Sequence, residues 1–547
     1  MNGAELTVHC LENEGVKYIF GVPGEENEDF LFALEDSSIT FIPVRHEQGG
    51  AFMANVWGRL SGTAGVCLST LGPGATNLLT GVADANLDKS PLIAITGQGN
   101  LTRLHHESHQ IIDVVKMMQP VTKWNKSINS TTVIPEIVRK AFKTAESEKP
   151  GASHIELPED IAGEKLEEQL LPLEKINVRR PAPDYKSVKQ AKRLLKEAKK
   201  PLIIAGNGGI RTRASKALTA FVNELNIPVA FTFMGKGAVS AEIDQAVGTI
   251  GLGFKDYIFE AVEEADLILC IGYDIAEYDP TNWNHAKNKA IVHIDFEPAE
   301  VHSHYVPKVE IIGDISESIT NLCTDFERKK YANWYVDIKQ NIQNSIQSYS
   351  QNDEDLIFNT PGVINTVREI LPHDGLLISD VGSHKMWIAR NYETYCPNGC
   401  IISNGLASMG ISLPGGIAAK LVDKDRPVVS IMGDGGALMN IQELETAKRL
   451  NVGCTFIILN DNNYGLITWK QKMSEGHAFG TALGNPDFPK LADSFGIKGY
   501  KPKSVGNLKE ILNHTLTSNE LSVIEIPITT EVNQELTDEL QEYFKNK

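Results

Sequence analysis

The chain has 547 residues, 42% hydrophobic and 22% charged, with 52 basic against 70 acidic side chains and a formal net charge of −18. That length exceeds one ordinary core and predicts about three domains, while the acidic balance excludes the basic stripe of a nucleic-acid surface. No apolar run reaches the ~20 residues of a membrane span, and the N-terminus (MNGAELTVHCLENEGVKYIF) lacks a basic n-region before an apolar h-region, so a cytoplasmic location is expected.

Three blocks alternate strand-like apolar runs with amphipathic stretches, which predicts an α/β fold of three mostly parallel sheets flanked by helices. In the first block, strands are expected at Tyr18–Val22, Thr40–Val44, Gly65–Ser69, Leu92–Thr96 and His154–Leu157. The charged, proline-containing stretch at 164–185 reads as a linker. A helix-like run near Lys186 opens the second block, with strands at Pro201–Ala205, Pro228–Thr232, Leu267–Ile271 and Ala290–Asp295. The polar stretch Ser345–Asp355 marks the next boundary, and the third block has strands at Gly375–Ser379, Pro427–Met432, Cys454–Asn460 and Ser522–Ile526. The expected domains are 1–170, 186–330 and 350–547. The seven scattered cysteines match no common zinc or redox spacing and read as reduced thiols.

The third block contains PVVSIMGDGGALMNIQELETAKRLNVGCTFIILNDNNYG. A strand ends at Met432, a tight Gly433–Asp434–Gly435–Gly436 turn follows, and a helix from about Asn440 to Leu450 leads to a second strand ending at Asn460. One βαβ unit puts Asp434 beside the Asp461–Asn462–Asn463 loop, at the carboxyl ends of neighbouring strands where open α/β sheets bind ligands. Glycines let backbone N–H groups approach an anion, and two hard oxygen ligands beside a diphosphate describe a magnesium site. Either turn alone is an ordinary loop; the pair, 27 residues apart, points to that chemistry.

In the first block, FIPVRHEQGGAFMANVWGRLSG places Glu47 in a turn just before a helix of small residues. A lone glutamate there is commonly a solvated residue favoured by the helix dipole.

Taken together, the GDG…DNN and RHEQ segments resemble the acetohydroxyacid synthase branch of the thiamine-diphosphate (ThDP) enzymes, over nearly the whole chain and in the family's order. YIFGVPGEEN (18–27), LSTLGPGATNLLTGVADA (68–85), ITGQ (95–98), DVGSHKMW and ISNGLASMGISLPGGIAAK extend the likeness. The resemblance implies a three-domain fold with N-terminal pyrimidine-binding, central and C-terminal diphosphate-binding domains. It gives Asp434, Asp461 and Asn463 to Mg²⁺, although position 461 is Asn in many relatives. It gives Glu47 to N1′ of the aminopyrimidine, whose 4′ nitrogen then deprotonates the thiazolium. Ala407 offers its carbonyl to the 4′-amino group and Met409 sits under the bend of the cofactor. The implied cofactor contacts include Pro23, Gly24, Thr70, Asn77, Ser383, His384, Gly433, Gly435, Gly436, Asn463, Tyr464 and Gly465. The family's cofactor lies between subunits, so a homodimer is the minimum and a homotetramer is expected.

Within the branch, Ile271–Pro280 (IGYDIAEYDP) is similar to a segment of catabolic, FAD-free acetolactate synthases, and His109–Gln110 to their THQ segment, whose glutamine lies near the reacting carbons. LPEDI (157–161) departs from the LPKDV of anabolic members, so FAD is expected to be absent. Lys470 takes the position that discriminates acceptors in GMVxQWQ, where it either pairs with a substrate carboxylate or faces solvent.

The expected activity is a transferase that decarboxylates pyruvate and ligates the hydroxyethyl fragment to a second pyruvate, giving 2-acetolactate and CO₂. It would serve branched-chain amino acid biosynthesis or an acetoin pathway, with Glu47, Gln110 and Lys470 as catalytic residues. The alternatives are another ThDP-dependent 2-keto acid decarboxylase or carboligase, or an inactive regulatory homologue.

Overall fold

The structure, a computed structural model, describes residues 1–167, 169–176, 178, 180–326 and 330–545. Positions 168, 177 and 179 of the expected linker lie outside the described residues. The chain forms two compact units, one from 1–179, 405–424 and 439–452, the other from 180–404, 425–438 and 453–547.

The first unit carries a six-stranded sheet in the spatial order 40–43, 18–21, 65–69, 92–98, 152–158, 124–127. Every pairing is parallel. Strands Gly65–Ser69 and Leu92–Gln98 are buried along their whole length, as expected of a parallel sheet covered on both faces. Helix Glu47–Ser61 packs on helix Pro73–Leu87 and on Ser412–Val422, a segment far away in sequence. Small residues permit the approach: a Cβ on Gly81 would stand 2.5 Å from Ala51 Cβ.

The second unit carries two parallel sheets. One runs 309–312, 290–295, 267–271, 201–205, 229–231, 246–249; the other runs 358–359, 522–529, 455–460, 428–433, 376–379, 400–402, with 498–500 also on 522–529. Around the first of these sheets, Ile203, Leu269 and Ile294 belong to a core that includes Phe221 of helix Thr212–Leu225.

The thirteen predicted strands all appear and end within two or three residues of the observed ones. Six further strands appear, at 124–127, 246–249, 309–312, 358–359, 400–402 and 498–500. Each has only two to four residues, and WNKS and KGY are polar rather than apolar. The helix expected over 440–450 is shorter, Glu443–Arg449, and the expected tight turn at 433–436 is instead a helical turn, Asp434–Ala437. Glu47 does not precede its helix; it is the first helical residue, capped by His46. All seven cysteines are free, and no helix among the described residues is long and apolar enough to cross a membrane.

Candidate active site

In the first unit, strand Thr40–Pro43 delivers the chain to His46, whose Nδ1 accepts from Gln48 N at 3.1 Å and starts the helix. Glu47 is 8% exposed. Its Oε2 accepts from Asn77 Nδ2 at 2.9 Å, while Oε1 meets no hydrogen-bond donor among the described residues. Gly74, one turn before Asn77, faces that oxygen, and a Cβ there would lie 3.3 Å from Oε1.

A residue that the sequence reading did not single out supports this corner. Glu443 is fully buried, and its Oε1 accepts from the backbone N–H groups of Arg45 and His46 at 3.0 and 3.1 Å. Its Oε2 accepts from Thr446 Oγ1 at 2.6 Å. Burial raises the Glu443 pKa against these donors. The only signal in the sequence was an acidic residue at the start of an otherwise ordinary helix.

Pro23 and Gly24 follow strand Tyr18–Gly21, and Gly24 faces Thr70, whose hydroxyl donates to Glu26 Oε2 at 2.5 Å. Gln110 is exposed with φ 59°, and its carbonyl packs on Gly72, just ahead of the helix that carries Asn77. Ala407 has φ 57°, a conformation that costs a non-glycine residue about 1–3 kcal/mol unless its surroundings over-determine it. They do: Asp88 Oδ1 accepts from Gly405 N at 2.7 Å and Asn440 Nδ2 donates to Gly410 O at 2.8 Å. Met409, between these ties, is half-buried.

In the second unit, parallel strands Val428–Gly433 and Thr455–Asn460 bring Asp434 and the 461–463 loop together. Asp434 Oδ2 accepts from Asn485 Nδ2 at 2.6 Å, and the same amide reaches Asn460 Oδ1 at 3.0 Å and Asn462 Oδ1 at 3.2 Å. Asn485 was also missed, since it lies 51 positions beyond Asp434 in a loop with no motif. Asp461 Oδ1 accepts from Asn463 N at 3.0 Å. Burial, and then the negative charge of Asp434, push the Asp461 pKa up to about 6, and burial raises Asp434 as well. Two desolvated carboxylates that oppose each other's ionisation suit a divalent cation. Among the described residues no cluster of three acidic, His or Cys side chains forms, so oxygens from a diphosphate and water would complete an octahedron.

Glycines crowd this pair. A Cβ on Gly465 would stand 2.6 Å from Asp461 Oδ2 and 3.0 Å from Ser383 Oγ, and one on Gly436 2.7 Å from Asp380 Oδ1. Gly433 faces the His384 ring and Gly435 the Tyr464 ring. His384 Nε2 is buried without a hydrogen-bond partner among the described residues. Burial lowers its pKa to about 4, against the charge of Asp380. A neutral imidazole beside a glycine-rich helical turn can donate to a phosphate oxygen.

A cavity of about 660 Å³ adjoins Asp461 and Asn463, bounded by Thr468, Lys472 and the first two turns of the last helix, Glu531–Lys545. Lys470 is exposed and does not line it; Lys472 does. Trp469 is buried and donates to Thr537 Oγ1 at 3.1 Å.

Models of thiamine pyrophosphate enzymes match the chain in order: the N-terminal TPP binding domain over 1–117, the central domain over 188–322 and the C-terminal TPP binding domain over 380–526. The chain is 32% identical to an acetolactate synthase of Bacillus subtilis, over 99% of its own length and 96% of the relative's. The chain belongs to the acetolactate synthase branch of the thiamine pyrophosphate enzymes. It is 35% identical to a probable acetolactate synthase large subunit of Methanocaldococcus jannaschii, over 96% and 92% of the two chains. It is 34% identical to a catabolic acetolactate synthase of Raoultella terrigena, over 96% and 95%. The three parallel sheets correspond to the three matched domains of this family, two of which are its ThDP-binding domains.

Proposed function

We propose that this enzyme condenses two molecules of pyruvate into 2-acetolactate and CO₂, using ThDP and Mg²⁺. The observation that carries the reading is the near-full-length similarity to proteins named acetolactate synthase, joined to the buried Asp434–Asp461 pair. In this reading the domains are 1–170, 186–330 and 350–547.

Bound ThDP supplies the electron sink for decarboxylation. Asp434, Asp461 and Asn463 hold Mg²⁺, and Ser383, His384 and the glycines at 433, 435, 436 and 465 make room for the diphosphate. Glu47 holds the proton shared with the aminopyrimidine: with Oε2 taken by Asn77, Oε1 is the oxygen left for it. Gln110 and a lysine of helix Gly465–Glu475 (Lys470, or the cavity-lining Lys472) position the acceptor. The enzyme acts as a homodimer at least, and as a homotetramer in the cytoplasm.

No FAD is required in this reading. The central sheet reverses its winding between strands 201–205 and 267–271, where a dinucleotide would bind. There Glu277 fills the helix-start cradle: its carboxylate accepts from Asn207 N at 3.0 Å and from Thr232 Oγ1, while Gly208 N is taken by Gly272 O.

The test is turnover of pyruvate alone by protein supplied with ThDP and Mg²⁺ but no FAD, assayed for both acetolactate and acetaldehyde. Acetolactate as the main product is expected. Acetaldehyde, or no consumption, moves the activity to a decarboxylase or to a carboligase with another donor.

A further inference from the structure

A second cavity, of about 70 Å³, lies in the second unit between strand Ala246–Thr249, helix Val336–Ser348 and the end of helix Ser383–Asn391. It has room for about five water-sized groups. It shares no lining residue with the cavity beside Asp461.

Its polar lining is unusual for buried groups. Asn391 is 3% exposed, and neither its Oδ1 nor its Nδ2 has a hydrogen-bond partner among the described residues. The same holds for the Thr394 hydroxyl and for Arg390 Nη1. Buried polar atoms left alone are costly, and these four belong to three residues that line the one cavity, which points to a partner from outside the chain.

Charge says what kind of partner. Lys236 is 7% exposed. Its ammonium donates to Ala389 O at 2.8 Å and Thr249 Oγ1 at 3.3 Å, and no carboxylate lies within ion-pair distance among the described residues. Burial lowers its pKa to about 8, which leaves it charged at neutral pH. Buried charges are normally paired. Arg390 is already matched by Asp256 at 2.8 Å, whereas Glu393 lines the opening and is exposed. The lining thus brings Lys236 together with the unpaired Asn391, Thr394 and Arg390 groups, and Val239, Val247 and Ile342 add an aliphatic stretch beside Phe231 and Tyr392.

We propose that the cavity lined by Lys236, Asn391 and Thr394 is a binding site for a short-chain monocarboxylate, separate from the candidate active site. The carboxylate accepts from Lys236, Thr394 and the Asn391 amide, and its short alkyl part lies against Val239, Val247 and Ile342. Water would satisfy the hydrogen bonds but would bring no negative charge within ion-pair distance of Lys236, whose nearest carboxylate influence is the exposed Glu393 at the opening.

The experiment uses the full-length holoenzyme with ThDP and Mg²⁺ and follows propionate by saturation-transfer NMR and calorimetry. Propionate is not a 2-keto acid and cannot be turned over by the proposed reaction. Saturable binding with a Kd of roughly millimolar order is expected, weakened about tenfold or more in Lys236→Met and in Thr394→Val. Thr394→Val is nearly isosteric and guards against a folding defect, and circular dichroism checks both variants. Absence of saturable binding, or equal binding by wild type and both variants, would overturn the site. Displacement of propionate by chloride as readily as by acetate would overturn the carboxylate assignment.

Discussion

Asn77 donates from its side-chain amide to Glu47 Oε2 across 2.9 Å, joining the start of one helix to the first turns of the next. This bond chooses which carboxylate oxygen remains available. Glu47→Ala should lower kcat by at least ~100-fold, the usual size of a general acid–base contribution, while ThDP affinity stays within a few-fold. Asn77→Ala should cost less, because the carboxylate survives and only its orientation is lost. Steady-state turnover with a parallel ThDP titration checks both; near-normal turnover by Glu47→Ala would remove the assigned role.

Gly465 leaves no space beside Asp461. A Cβ there would stand 2.6 Å from Asp461 Oδ2, so Gly465→Ala must push the carboxylate aside. Loss of a metal-orienting contact typically lowers affinity about 10–100-fold, and the same drop is expected for Mg²⁺. Titrating Mg²⁺ into metal-free protein measures it, and an unchanged curve would contradict the ligand assignment for Asp461.

Glu443 satisfies two backbone donors ahead of Glu47. Glu443→Ala leaves both unpaired inside the protein, at about 1–3 kcal/mol each, so a lower melting temperature and lower turnover should appear together. Glu443→Gln keeps an oxygen for the two N–H groups and should recover most of both. Equal damage from Ala and Gln would show that charge, rather than hydrogen bonding, is what this position supplies.

Glu277 gives the enzyme a pH-dependent stability. Burial raises its pKa from 4.5 to about 7. Between those values the native state holds a proton that the unfolded chain has released, so stability falls as pH rises through the window. The full effect is on the order of 3 kcal/mol. Glu277→Gln cannot titrate and should lack this slope. Thermal unfolding of wild type and variant from pH 5 to pH 8 should therefore show wild type losing ground to the variant; parallel curves would refute the shift.

The two lysines of helix Gly465–Glu475 can be separated by kinetics. Lys472 lines the cavity beside Asp461 and Lys470 does not. Lys472→Ala should raise the KM for pyruvate roughly tenfold, ~1.4 kcal/mol of lost binding, with Lys470→Ala close to wild type. The reverse result would return the acceptor role to Lys470.

The sequence by itself determined the class of fold, the order of its elements and the local chemistry. Buried parallel strands are continuous apolar runs such as Leu267–Ile271, and GDGG and DNN carry their spacing within one βαβ unit, so neighbours along the chain announce each other. The short strands Trp124–Ser127 and Phe358–Asn359 announced nothing, because a few polar or isolated residues pair only when a longer strand already stands beside them. Tertiary structure alone decided which distant groups complete the site. Asn77, Asn485 and Glu443 reach Glu47, Asp434 and the Arg45–His46 backbone by hydrogen bonds, and a hydrogen bond depends on distance in space and leaves no periodicity in the chain. The choice between Lys470 and Lys472 is of the same kind, since two residues along a helix is about 200° of rotation and only the packing of that helix says which face meets the cavity.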